Sequence, residues 1–359
     1  DEHQMLSDLC SYYKNVIVAV NAGGQVDLSF MDEFSNIKAL LILSQPGMEG
    51  GNAFADVISG KVNPSGKLVD SWAYRYEDYP NAASFSHNNG NVEKEFYEEG
   101  IYVGYRYFDT FAVPVRYGFG YGLSYTTFEI KEKNIQFDSN IQVSVSVKNT
   151  GDTAGKEVVQ IYAALPGGQV EKEAHRLVAY EKTALLQPQE EQTLILKIPA
   201  ERFAFYEEEK AAWILGKGFY GIFAGTSLES AELAGGLKLD QDVILEKVKN
   251  LFQLKESLKE LQQQSGQTEK REDALKVQAV EKGLPVLEID AAGFETKEIL
   301  YKKNSELVEK EAAEFVETLS IEELIDLAAG DPGKAQGGNL GAAGISVPGS
   351  AGETHRCAI

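Results

Sequence analysis

Cysteine is nearly missing from this chain: two residues in 359, Cys10 and Cys357, lie close to opposite ends. That excludes a disulfide framework and fits a reducing, cytoplasmic compartment. Histidine is scarce as well, with four scattered residues and no paired ligand spacing, so no metal centre is expected. No apolar run approaches the roughly 20 residues that span a bilayer. The opening Asp1-Glu-His-Gln4 also lacks the basic and apolar regions of an export signal. Positive charge is in deficit, 34 Lys and Arg against 55 Asp and Glu, for a net charge of -21. Such a surface repels phosphate backbones and anionic lipid, which argues against nucleic-acid and membrane partners and for plain solubility. Neither Gly-x-Gly-x-x-Gly nor a Gly-Lys-Ser/Thr loop follows the strands identified below. The glycines there read as tight strand-to-helix turns rather than as phosphate cradles, and no cofactor is expected.

What is present suffices for two or three domain cores, since 43% of the 359 residues are hydrophobic. Val16-Ile-Val-Ala-Val20 is an apolar, β-branched run ending in Asn21-Ala-Gly-Gly24, and Ala39-Leu-Leu-Ile-Leu43 repeats the pattern. Both read as buried parallel strands, and residues 29–37 between them have the length of a crossover helix. Ligands in such sheets sit beyond the carboxyl ends of the strands, here residues 21–24 and 44–47. Residues 51–59 read as a further helix with Glu49 placed against its dipole and Gly60 as its stop.

From residue 126 to about 240 the period changes to two. Ile141-Gln-Val-Ser-Val-Ser-Val-Lys148, a turn at 149–152, and strands at 157–162, 193–198 and 218–224 suggest an antiparallel sandwich. Residues 241–266 carry leucines at mostly helical spacing among Lys, Glu and Gln, which reads as an amphipathic helix packed on a domain or as a coiled-coil partner. Residues 262–273 read as a polar linker. A second helical pattern covers 305–329, with Ser320 and Glu323 forming a capping box and Gly330 as its end.

Three segments carry a family resemblance: Pro46-Gly-Met-Glu-Gly-Gly-Asn52, Asn63-Pro-Ser-Gly-Lys67, and Glu99-Gly-Ile-Tyr-Val-Gly-Tyr-Arg-Tyr-Phe-Asp109 closing on Phe119-Gly-Tyr-Gly-Leu-Ser-Tyr125. Their order and spacing resemble the non-barrel half of glycoside hydrolase family 3. Residues 147–162 resemble the fibronectin type III-like domain of many of its members. Leu319-Ser-Ile-Glu-Glu-Leu324 and Gly341–Thr354 resemble the opening of that family's barrel, placed here after the other domains, as in the reversed family arrangement. The fold class this implies is α/β plus all-β: a partial parallel α/β sandwich domain (1–125), a fibronectin type III-like antiparallel β-sandwich (126–240), a helical linker (241–316) and the truncated start of a (β/α)8 barrel (317–359).

By the same resemblance the activity is retaining hydrolysis of terminal β-linked sugars, of β-glucosidase type and without a cofactor. Retaining enzymes use two carboxyl groups about 5 to 5.5 Å apart. The resemblance places one in the barrel and the other upstream of the strand at 16–20, so no residue here is assigned a catalytic role, Glu2 included. The chain alone is expected to be inactive. The alternative is a non-catalytic scaffold, or a subunit of a split enzyme that docks on a barrel-bearing partner, with a homo-oligomer as a further arrangement. The remaining candidate substrate contacts are Tyr97, Glu98, Glu99 and Arg106, in a segment that also holds Glu93, Glu95, Tyr102 and Tyr105. Crowded carboxylates can gain raised pKa values, and rings beside them suit sugar faces. The plainer reading is an exposed acidic loop followed by a strand, with Arg106 in a structural ion pair with Glu99 or Asp109 and His87 an ordinary loop residue.

Overall fold

The computed structural model describes residues 2–138, 140–251, 258–299, 306–321 and 323–324. They fall into two units, Asp1–Ile299 and Leu300–Ile359. In the first unit, helix α1 (Glu2–Tyr12) leads into β1 (Val16–Val20), the short α2 (Phe30–Glu33) and β2 (Ile37–Ile42). The two strands pair in parallel from Val16 with Ile37 to Val20 with Ile42, as their apolar runs imply. The crossover expected over 29–37 contracts to four helical residues, because Phe34 is already extended (φ -115°, ψ 90°). Helix α3 (Gly50–Ile58) follows; Glu49 precedes it and accepts from Asn52 Nδ2 at 2.7 Å, and Gly60 closes it at φ +74°. A small antiparallel pair, β3 (Trp72–Ala73) and β4 (Val115–Tyr117), brackets a long irregular stretch and helix α4 (Tyr105–Thr110).

The chain then becomes a β-sandwich. Its further strands are β5 (Phe128–Asp138), β6 (Asn140–Asn149), β7 (Val158–Ala164), β8 (Arg176–Lys182), β9 (Glu191–Ile198), β10 (Phe205–Glu207), β11 (Ala212–Leu215), β12 (Gly218–Gly225), β13 (Glu232–Leu239) and β14 (Val243–Lys247). After these come helix α5 (Gln267–Glu281), β15 (Val286–Ile289) and β16 (Lys297–Glu298). The sheets run β5–β6–β9, β15–β13–β12–β7–β8 and β10–β11–β14–β16. Alternation puts Ile141, Val143, Val145 and Val147 of β6 inward against Val159 and Ile161 of β7 and Ile222 of β12, all at most 5% exposed. At about 1.5–3 kcal/mol per buried aliphatic side chain, this layer is the main source of stability.

The five-stranded sheet is covered on its other face too. Tyr162, Phe219, Phe223 and Leu233 pack there with Ala279 and Leu275 of α5 and with Tyr105 and Phe119 from the region before the sandwich. This second layer seats residues 1–125 on the sandwich.

Two expectations for residues 241–273 fail. Val243–Lys247 is strand β14, paired antiparallel with β11, where a helix was expected; its Val-Ile-Leu run is short and inward-facing, with Val243 and Leu245 buried. The helix lies later, at α5, across residues expected to be linker. Its carboxylates hold it in place: Glu272 accepts from the backbone N–H of Gly167 (2.8 Å) and of Phe219 (2.9 Å). β15 and β16 then join β13 and β14 in parallel, so Val286–Ile289 and Lys297–Glu298 belong to the same sheets.

In the second unit, α6 (Glu306–Glu317) lies within the expected helical stretch. The capping box forms: Ser320 N–H donates to Glu323 Oε2 (2.8 Å) and Glu323 N–H to Ser320 Oγ (3.2 Å). The barrel-like segment at 341–354, and Gly330, lie outside the described residues.

Candidate functional site

Beyond the carboxyl end of β1 the chain opens a cleft of about 480 Å³. Three stretches form it: Gln25–Asp27 after β1, residues 73–85, and residues 95–104. Tyr76, Phe85, Phe96 and Tyr97 offer their rings to it while staying at least 41% exposed. Tyr79 is fixed rather than free. It meets Phe108 edge-on at 5.4 Å, and its hydroxyl donates to Gln25 Oε1, whose amide nitrogen reaches Ser71 O at 3.2 Å. Burial pushes the Tyr79 hydroxyl above its ordinary pKa, so it remains a donor. Tyr74 is capped by the Arg116 guanidinium at 4.9 Å. Arg116 in turn grips Asp32 and, chiefly through that hydrogen bond, holds the carboxyl below its usual range.

The acidic groups in the cleft are held by neighbours. Glu99 accepts from Asn81 Nδ2, and Asn81 is set by a tight turn in which its carbonyl accepts from Phe85 N–H at 2.8 Å. Glu95 Oε2 lies 3.5 Å from His87 Nδ1, which also contacts Asn91 O at 2.7 Å. Ser86 and His87, which follow Phe85, both take left-handed backbone, φ 56° and 63°. Non-glycine residues adopt that conformation at a cost of order 1–2 kcal/mol each, so the turn is set by its surroundings.

The four candidate contact residues separate. Tyr97 and Glu99 line the cleft, whereas Glu98 and Arg106 do not. Glu98 is exposed, and its carbonyl accepts from Leu261 N–H at 2.7 Å. Arg106 pairs with neither Glu99 nor Asp109: its Nε lies 3.7 Å from Glu173 Oε1, while Asp109 meets His175 Nδ1 at 2.9 Å. These partners stand more than sixty residues away along the chain and could not be read locally. Glu173 is 2% exposed and clasped by Arg176 at 2.6 Å. Burial alone would raise its pKa, but the hydrogen bond and charge of Arg176 prevail and hold it below the ordinary value. The strand expected after the acidic loop is helix α4, which turns Tyr105 onto Phe119 at 4.6 Å and brings its hydroxyl to Leu177 N–H at 2.9 Å. Tyr102 is fully buried; its hydroxyl donates to Glu171 and accepts from Gln263 Nε2 at 2.9 Å.

Sequence reasoning missed Gln25, Tyr76, Tyr79, Asn81 and Phe85. Tyr74-Arg-Tyr-Glu-Asp-Tyr79, three tyrosines in a run without strand or helix period, was the available signal.

Two of the segments that carried the resemblance are structural. Asn63 Oδ1 accepts from Ser124 Oγ (2.9 Å) and Tyr125 N–H (2.8 Å), and its amide nitrogen donates to Ala154 O at 3.1 Å. Lys67 Nζ donates to Gly122 O at 3.2 Å and pairs with Glu157 at 2.8 Å. Gly122 is required because a Cβ there would stand 2.3 Å from Gly66 O. Residues 63–67 and 119–125 thus weld the cleft-bearing region to the sandwich.

Open aromatic rings beside amides and carboxylates suit a polyhydroxylated ligand, whose C–H faces stack on rings while hydroxyls hydrogen-bond. Among the described residues no three His, Cys, Asp or Glu converge as a metal-binding set, and no helix is long and apolar enough to cross a membrane.

Residues 1–105 match the glycosyl hydrolase family 3 C-terminal domain, and residues 157–228 match a fibronectin type III-like domain. Beta-glucosidase A of Butyrivibrio fibrisolvens is 40% identical over 275 residues, 69% of this chain and 32% of that protein. A beta-glucosidase of Ruminococcus albus is 39% identical over 253 residues, 69% of this chain and 26% of that protein. Among solved structures, a beta-glucosidase from Paenibacillus barengoltzii has a TM-score of 0.63 at 36% identity, covering 69% of this chain and 28% of the other. Beta-glucosidase 3B from Thermotoga neapolitana, in complex with glucose, gives 0.62 at 36% identity, covering 68% and 34%. The chain spans about a third or less of the length of these relatives.

Proposed function

Since the chain carries the C-terminal domain of the family 3 glycosyl hydrolases together with a fibronectin type III-like domain, we propose that it works in retaining hydrolysis of terminal β-linked sugars, of β-glucosidase type. Its part is the sugar-facing cleft and the scaffold beneath it, and a barrel-bearing polypeptide supplies the rest of the active site. The observation that carries this is the placing of Tyr97 and Glu99 in an aromatic-lined cleft beyond a parallel strand's carboxyl end. The rings hold the apolar face of a pyranose, and Glu99, Asn81 and Gln25 meet its hydroxyls.

The chain by itself turns over no substrate. A retaining pair is two carboxyl groups about 5 to 5.5 Å apart, one attacking and one donating its proton, and the family resemblance places both outside these residues. Of the carboxylates lining the cleft, Glu99 accepts from Asn81, Glu95 faces His87 and Asp27 accepts from Ser29 N–H, while Glu98 lies outside it. The reading as a non-catalytic subunit draws on the same facts and on the structural use of residues 63–67 and 119–125. The low cysteine content supports a cytoplasmic setting.

Calorimetric titration with cellobiose tests the cleft. The wild-type chain binds weakly, and Tyr97→Ala and Glu99→Gln each weaken binding at least about tenfold while Glu98→Gln does not. Equal affinity in all four proteins removes the cleft from the proposal.

A further inference from the structure

Residues 258–281 lie outside both family matches, which cover 1–105 and 157–228, yet they reach the cleft. The cleft wall at 95–104 has little packing of its own: Phe96, Tyr97, Ile101 and Val103 are 38–67% exposed, and Tyr102 alone is fully buried. Between Tyr97 and Tyr102 the wall makes a tight turn, with Gly100 left-handed at φ +56° and Tyr102 N–H donating to Glu99 O at 3.0 Å. One irregular segment pins that turn at both ends. Leu261 N–H donates to Glu98 O at 2.7 Å, between the cleft residues Tyr97 and Glu99, and Gln263 Nε2 donates to the Tyr102 hydroxyl at 2.9 Å. Glu260 lies over Gly100, its Oε2 3.0 Å from where a Cβ would stand. Among the described residues, the wall's remaining hydrogen bond to the chain beyond residue 110 runs from Tyr102 to Glu171, and Gln263 N–H donates to that carboxylate as well, at 3.2 Å.

Gln263 is itself fixed by groups of opposite character. Its Nε2 faces Lys172 O at 2.7 Å, an acceptor only, and its Oε1 accepts from Arg271 Nη2 at 2.7 Å, a donor only. Glu at this place would lack the donor, Lys the acceptor and Met both. Arg271 stands on α5, which is seated on the sandwich through Glu269, accepting from Gly168 N–H at 3.2 Å, and through Glu272. We infer that residues 258–263 are a strap that holds the cleft wall in its ligand-binding position, and that Gln263 is the positioning residue of that strap. Gln263 does not line the cleft. It acts on Tyr97 and Glu99 through Tyr102 and, together with Leu261, through the backbone of Glu98. Apparent affinity scales with the fraction of molecules in the competent conformation, so a wall in place about a tenth of the time binds about tenfold more weakly.

For its ligand readout alone, the role of Gln263 rests on the glycoside reading proposed above. Amide exchange is followed in the full chain at residues 98–104 and at β6 and β12, beside calorimetric titration with cellobiose. Gln263→Met keeps the side-chain length but loses donor and acceptor, Leu261→Pro removes the N–H that Glu98 O accepts, and Gln262→Ala alters an exposed neighbour. The first two should speed exchange of the Tyr102 and Val103 amides at least about tenfold with β6 and β12 unchanged, and weaken cellobiose binding at least about fivefold; the third should do neither. Saturating cellobiose should then slow the wall amides of Gln263→Met back toward the wild-type rate, since a ligand that binds the placed wall restores it, and a residue that merely supported the fold would not show this. Unchanged exchange at 98–104, an equal rise in β6 and β12, an equal effect of Gln262→Ala, or cellobiose affinity untouched by a loosened wall overturns the inference. Local loosening of the wall in a chain whose wild type binds no cellobiose upholds the strap and tells against the glycoside reading; cellobiose bound by the wild type with the wall unmoved in both variants does the reverse.

Discussion

The ion pair between Lys67 and Glu157 joins the cleft-bearing region to the sandwich, and its loss can be worked out in advance. The two side chains are 13% and 10% exposed and meet at 2.8 Å, and Lys67 also reaches Gly122 O at 3.2 Å. Removing one partner of a buried pair leaves an uncompensated charge and costs about 3–5 kcal/mol; the residual exposure here places the expectation at the lower end, about 3 kcal/mol. Lys67→Met is therefore expected to lower unfolding free energy by about that amount. Lys67→Met with Glu157→Leu should recover at least about 2 kcal/mol of it, because a hydrophobic replacement of both charges is close to neutral. Urea unfolding followed by far-ultraviolet circular dichroism measures the totals. Amide exchange at residues 63–68 and 119–125 shows whether the weld opens before the sandwich. A single-variant loss below about 0.5 kcal/mol, or strictly additive effects, would refute the reasoning.

Gly122→Ala should destabilise by about 1–3 kcal/mol, since the new methyl group meets Gly66 O at 2.3 Å with only backbone to move; urea midpoints measure it. Tyr102→Phe removes a fully buried hydroxyl shared by Glu171 and Gln263 and should cost about 1–3 kcal/mol in the same assay. Glu173 has its folded pKa held below the unfolded carboxylate value, so its contribution is complete above about pH 4.3 and is lost as pH falls through the folded value. Thermal melting between pH 6 and pH 3 should show that decline, and Glu173→Gln should lower stability at pH 6 while flattening the acid limb.

Local pattern accounted for the elements whose burial follows their own period. β1 and β2 were legible as unbroken apolar runs, β6 as strict alternation, and the Ser320–Glu323 box as four residues of capping chemistry. Tertiary context decided the others. α5 has a weak apolar stripe and is held by Glu269 and Glu272 on backbone amides of a distant loop, which no window of sequence displays. β14 is a strand because it completes a sheet with β11. In the candidate site, Tyr97 and Glu99 were legible from the crowding of rings and carboxylates. Arg106 was assigned to near neighbours, but its partner Glu173 comes from beyond the first strands of the sandwich. Tyr79 and Asn81 enter the cleft through folding of the irregular stretch between β3 and α4, and Gln25 from the loop after β1.

We propose that this chain takes part in β-glycoside hydrolysis without holding the reacting carboxylates. The most direct test is hydrolysis of an aryl β-glucoside by the purified chain, with Glu98→Gln and Glu99→Gln variants beside it. No turnover above the buffer rate is expected from any of the three. Turnover by the wild-type chain that either variant abolishes would contradict it and would put a catalytic carboxylate in residues 98–99.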